Sequence, residues 1–157
     1  MPGYLLDLNH VSALFNKHPA VLKKVNSLGR KQVRACAITL GEAEAGHQMD
    51  PAVNATRTAY TRWLNTTFLP NLLEIRGTTR ESYAKLIGGL WHVCPKTSAK
   101  MKTERHLVLN CGVDVNDVWM AACALEHGLV MVTQDRMEKI KLAVAHVGES
   151  LDVECWL

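Results

Sequence analysis

The chain has 157 residues, 48% of them hydrophobic and 21% charged, and a formal net charge of +3. That composition fits one folded domain, residues 1–157, with enough apolar surface for a core, and excludes a disordered chain. No stretch approaches the roughly 18 apolar residues of a membrane span, so no membrane partner is expected, and the mild basic excess permits a polyanionic partner without requiring one.

The opening stretch, MPGYLLDLNH, has no basic region ahead of its short apolar run, so a signal peptide is not expected. Tyr4–Leu6 reads as a strand stopped by Asp7. Val11–Phe15 continues with helical spacing, and Pro19 opens a helical stretch, Ala20–Leu28, closed by Gly29. Val33–Thr39 (VRACAIT) predicts a buried strand, followed by a helix from about Leu40 that fades at Gly46. Pro51–Phe68 has helical spacing behind a proline, Leu72–Ile75 is a candidate short strand, and Thr79–Trp91 is helical with TRES at its start. Residues 94–106, CPKTSAKMKTERH, are polar and basic and read as a loop. Asp117–His127 predicts a helix stopped by Gly128, Leu129–Thr133 a strand, Arg136–Val144 a helix and Leu151–Glu154 a last strand. Alternating strands and helices argue for a mainly parallel sheet with helices on both faces, where functional residues gather at the carboxyl ends of the strands.

The five cysteines, 36, 94, 111, 123 and 155, are odd in number and lack C-x-x-C spacing. Neither a disulfide framework nor a zinc site is expected, which makes the cytoplasm the default compartment.

Acids recur at the junctions between elements. Asp7 ends the first strand, Glu42 follows the second in AITLGE, Asp117 opens a helix in VNDVWMAA, and Asp135 ends a strand in VTQD. Each has a structural reading as well. Thr39–Glu42, Asp114–Asp117 and Asp135–Glu138 have capping-box spacing, Asn9 suits a helix N-cap, and Asp114 reads as a cap or a spare acid. Taken together, carboxylates on one sheet edge would repel. At an effective dielectric of about 20, a pair about 4 Å apart costs about 4 kcal/mol. Oxygen-only donors suit a hard divalent cation, Mg²⁺ or Mn²⁺, and such a site supports attack of water on a phosphodiester. The chain has no G-x-x-x-x-G-K-[ST] and no G-x-G-x-x-G.

LLDLNH, AITLGEAEAG and VNDVWMAACALEHGLVMVTQD resemble the PIN domain family, above all its VapC-like toxin branch, from Tyr4 to about Trp156. The resemblance implies a three-layer α/β/α sandwich and a metal-dependent ribonuclease. Its acidic tetrad falls on Asp7, Glu42, Asp117 and Asp135, with Asn9 and Thr133 at polar positions beside the acids. Leu8 stands where many members carry threonine or serine, and the chain is longer than many in the region 94–110. On this reading Asp7, Asp117 and Asp135 hold the metal directly or through its waters. Glu42 completes the site or prepares the attacking water. Thr133 bonds a carboxylate or metal-bound water, or else caps a helix.

RNA held near acids needs cations. Candidates are Lys96, Lys100, Lys102 and Arg105 in the loop and Arg136, Lys139 and Lys141 after the last acid. Lys17, Lys23, Lys24, Arg30, Lys31 and Arg34 form a second group, and any such run also reads as a solvated face. Trp63, Trp91 and Trp119 fit a core or a dimer interface. His10 and His47 lack metal-ligand spacing and read as structural. Family members usually form homodimers and often accept an antitoxin peptide in an apolar groove; Tyr60, Trp63, Leu64 and Phe68 form a stripe that serves either use or the core. The alternatives are a non-catalytic PIN-like module that binds RNA or a partner, a dehalogenase-like phosphatase, and a receiver domain. The phosphatase needs a second acid where Asn9 stands. The receiver needs an early acid pair and a late lysine that are not visible.

Overall fold

The computed structural model describes residues 2–49, 55–94 and 104–157. Its sheet has parallel strands β1 (Tyr4–Leu6), β2 (Val33–Arg34), β3 (Val130–Val132) and β4 (Val153–Glu154), in the order β2-β1-β3-β4. Tyr4 lies opposite Val33 on one side and Val130 on the other, and Met131 lies opposite Val153. Side chains alternate across a strand. Leu5 and Met131 therefore enter one core, while Tyr4, Leu6, Val33, Val130 and Val132 enter the other. In β1 and β3 both faces are buried, which is why these two strands read as unbroken apolar runs.

Helices α1 (Leu8–Phe15), α2 (Pro19–Leu28), α3 (Ala37–Met49) and α4 (Ala55–Phe68) supply Val11, Val21, Val25, Leu40, Leu64 and Phe68 to the second core. Helices α5 (Gly77–Val93), α6 (Glu104–Cys111), α7 (Val115–His127) and α8 (Glu138–His146) supply Leu86, Leu90, Leu107, Val118, Ile140 and Val144 to the first. The result is the expected α/β/α sandwich on a parallel sheet. Helix α5 crosses α8 so closely that a Cβ on Gly89 would lie 2.5 Å from the Ala143 carbonyl oxygen. Gly128, in the left-handed region at φ 59°, ends α7 as anticipated, its N–H reaching the carbonyls of Ala124 and Leu125.

Several boundaries differ from the sequence reading. The strand expected over Val33–Thr39 ends at Arg34. Cys36 makes one bridge to Leu73, and α3 begins at Ala37. The buried residues Cys36, Leu40 and Ala43 recur at helical spacing, and a short apolar run does not by itself distinguish strand from helix. The candidate strand Leu72–Ile75 reduces to that bridge. The loop expected over 94–106 gives way at Glu104 to α6, which buries Leu107, Val108 and Cys111; residues 95–103 lie outside the described ones, as do 51–54 of the helix expected from Pro51. Helix α8 starts at Glu138, not Arg136, because Met137 is left-handed, at φ 54°, and its N–H is held by the Asp135 carboxylate at 2.9 Å.

The expectation of no disulfide is overturned for one pair. Cys94, the C-cap of α5, is bonded to Cys111 at the end of α6, with Cα atoms 5.6 Å apart. The packing of α6 on α5 brings the two together across 17 residues of sequence, a proximity that cysteine spacing does not reveal. Cys36 and Cys123 are buried free thiols, and Cys155 is exposed.

Candidate active site

The carboxyl ends of β1 and β3 meet at one edge, where the Asp7 N–H bonds the Val132 carbonyl at 3.0 Å. Asp7 is buried and is itself the N-cap of α1, a role the sequence had offered to Asn9. Its Oδ1 accepts from the His10 N–H at 2.8 Å and contacts His10 Nδ1 at 2.7 Å. Asn9 is exposed in the first turn of α1. Thr133, also buried, accepts the Asp135 N–H at 3.1 Å and hydrogen-bonds the Asp7 side chain. It thus joins the first and last acids; the alternative role of helix cap is not taken, because Met137 is the N-cap of α8 and the Thr133 hydroxyl closes a turn on the Asp135 N–H instead. Asp135 is exposed on the turn between β3 and α8.

Asp117 lies in the first turn of α7, behind the N-cap Asp114, whose carboxylate accepts the Asn116 N–H at 2.8 Å. Glu42 sits in the second turn of α3, too deep for the capping-box role. Its Oε1 instead accepts from Asn116 Nδ2 at 2.8 Å.

The acids lie near enough to one another for their charges to interact. Burial, then the charges of Asp114, Asp135, Glu42 and Asp7, push the Asp117 carboxyl up to about 6. Asp7 moves the other way. Burial raises it, but the side-chain and backbone hydrogen bonds of His10 and the bond from Thr133 outweigh burial and hold it below its ordinary value. One acid is stabilised as an anion while its neighbour feels every charge around it.

A cleft of about 450 Å³ opens on Asp117 and Asp135 and is also lined by Arg136, Lys139, Gly112 and Val113. Lys141 lines the adjoining hollow with Thr133 and Asp135. Arg105 is exposed on α6; Lys96, Lys100 and Lys102 lie outside the described residues. Of the second basic group, Lys24 pairs with Glu154 at 3.2 Å. Among the described residues no three carboxylate, imidazole or thiol groups stand close enough to clasp one ion. The donor set still fits Mg²⁺, which keeps several of its waters and is commonly held by only one or two carboxylates.

On the opposite helical layer, a groove of about 650 Å³ runs between α1, α2 and α4, lined by Phe15, Leu22, Trp63 and Phe68 with Lys17 and Arg30. Leu64 and Phe68 of the apolar stripe are core, while half-buried Trp63 packs on Phe15 with ring centroids 5.3 Å apart. Half-buried Trp119 stacks on Tyr83 at 3.8 Å, and His47 bonds Thr61 at 3.1 Å, both structural roles.

Sequence reasoning missed Asn116, an amide in the run of acids that holds Glu42 across the site. It read His10 as structural without anticipating its bond to Asp7, which lies three residues away, within reach across the first turn of α1.

The parallel sheet between two helical layers is a PIN-like α/β fold. No family model matches the sequence, and no curated protein does. Solved structures do match. A chain of the DNA-bound VapBC complex from Salmonella typhimurium superposes with a TM-score of 0.71 at 17% identity, over 100% of each chain. A chain of VapBC2 from Rickettsia felis, bound to a promoter DNA fragment, gives 0.65 at 17% over 98% of each. FitAcB from Neisseria gonorrhoeae gives 0.66 at 20% over 96% of this chain and 95% of that one. At these identities the likeness is one of fold.

Proposed function

We propose that this chain is a Mg²⁺- or Mn²⁺-dependent endoribonuclease and the toxin of a type II toxin–antitoxin pair of the VapBC kind. The observation that carries the reading is the Asp117 carboxyl, pushed to about 6 by burial and by acids from four other positions beside a cleft that Arg136 and Lys139 also line. Asp7, Asp117 and Asp135 would hold the cation between them, in part through its waters, and the cation would supply charge neutralisation and lower the pKa of bound water. Glu42, steadied by Asn116, would orient the attacking water and take its proton. As that water bonds to phosphorus, the bond to the leaving ribose oxygen would break, and this oxygen would take up a proton from solvent. Arg136, with Arg105, Lys96, Lys100 and Lys102, would bind RNA phosphates and offset the repulsion between RNA and the acids. The fold shared with chains of VapBC and FitAcB complexes supports an antitoxin as partner, and the Phe15–Trp63 groove is the surface offered to it. A homodimer and action in the cytoplasm, where RNA is available, belong to the same reading.

The test incubates the purified protein with total cellular RNA, with and without Mg²⁺ or Mn²⁺, beside Asp7→Asn and Asp117→Asn. Defined, metal-dependent cuts that vanish in both variants support the nuclease. Equal behaviour of all three proteins under every metal would instead favour a non-catalytic PIN-like binding module. The absence of three ligating groups around one point, among the described residues, is the observation on that side.

A further inference from the structure

His10 is fully buried beside the acid edge and has a polar partner at each ring nitrogen. Its Nε2 accepts the backbone N–H of Trp156 at 3.2 Å. A backbone N–H can only donate, so the ring hydrogen sits on Nδ1 and is given to Asp7 Oδ1 at 2.7 Å. The same oxygen accepts the His10 backbone N–H at 2.8 Å. Both lone pairs of Oδ1 are thereby used, so the Thr133 hydroxyl falls to Oδ2, whose remaining lone pair is the capacity left for a cation.

Trp156 is itself held. Its ring meets the His10 ring edge-on with centroids 6.3 Å apart and lies 5.3 Å from Tyr4. Its Nε1–H donates to Glu154 Oε2 at 2.8 Å, and the same oxygen pairs with Lys24 of α2 at 3.2 Å. A continuous polar chain thus runs from Lys24 through Glu154, Trp156 and His10 to Asp7. An imidazole with both nitrogens engaged in the core is costly to bury unless both bonds are made, and a hydrophobic side chain would fill the space without them.

We infer that His10 is a positioning residue for Asp7, its ring set by the Trp156 backbone, so that the segment after β4 controls how the acid edge presents its first carboxylate to a cation. This rests on Asp7 being a metal ligand, as proposed above. Partners behind a ligand typically change metal affinity 10- to 100-fold on removal.

The experiment measures Mn²⁺ binding to the intact protein by electron paramagnetic resonance, without substrate, for the unaltered chain, Asp7→Asn, His10→Phe, His10→Gln and His10→Asn. Glutamine can donate to Asp7 and accept from Trp156; asparagine is too short to span both; phenylalanine fills the space with neither. Asp7→Asn should lose most affinity, His10→Phe and His10→Asn should bind about 10- to 100-fold more weakly, and His10→Gln should recover most of the loss. Should His10→Phe not fold, the glutamine–asparagine comparison decides. All three His10 variants binding like the unaltered chain while Asp7→Asn fails would overturn the positioning role and leave the metal reading intact. Asp7→Asn binding normally would overturn the ligand assignment and the inference with it.

Discussion

Replacing Asp117 by asparagine should make the metal-free protein more stable at neutral pH while abolishing its proposed activity. A carboxyl raised from 3.8 to about 6 binds its proton more tightly in the folded state than in the unfolded one. Folding stability therefore falls as pH rises from about 4 to about 6, and the whole loss is present above that. The proton-affinity difference corresponds to about 3 kcal/mol, which partial solvent contact around Asp117 reduces to about 1–2 kcal/mol. Asparagine removes that repulsion with little change of shape. In thermal melts with a chelator, Asp117→Asn should exceed the parent by several degrees at pH 7.5, and the gap should close as pH falls through 6 toward 3.8. Mn²⁺ should raise the melting temperature of the parent and do little for the variant. A variant no more stable than the parent at pH 7.5, or a gap that ignores pH, would refute the convergence of charge at this edge.

Other expectations are more local. Gly89→Ala places a methyl group 2.5 Å from the Ala143 carbonyl oxygen and should cost about 1–3 kcal/mol in urea unfolding, by forcing α5 from α8. Cys94→Ser opens the loop closed by the Cys94–Cys111 bond and should lower stability by about 3 kcal/mol, with the parent melting lower in reductant and the variant unmoved. Asn116→Ala frees Glu42 and should lower kcat for RNA cleavage about 10- to 100-fold with folding intact; an unchanged kcat would remove Asn116 from the site.

What could be read from the chain alone was local and periodic. Apolar runs stopped by acids marked β1 and β3, and Pro19, Gly29 and Gly128 marked helix ends. The alternation of element types implied a parallel sheet between helical layers, because both covered faces demand continuous apolar strands. Asp7, Glu42, Asp117 and Asp135 stood out because each occupies a junction. The rest depended on contacts between distant residues. Residues 37–39, read as strand, became helix because the buried positions Leu40 and Ala43 follow the face presented to neighbouring elements, which a short apolar run does not declare. Helix α6 and the Cys94–Cys111 bond appeared only when α5 received Leu107 and Cys111. Glu42 met Asn116 across 74 residues, and His10 met Trp156 across 146. Periodicity decides which face of an element is apolar; the partner each polar group finds is decided when those faces close on one another and leave each buried donor and acceptor to be satisfied.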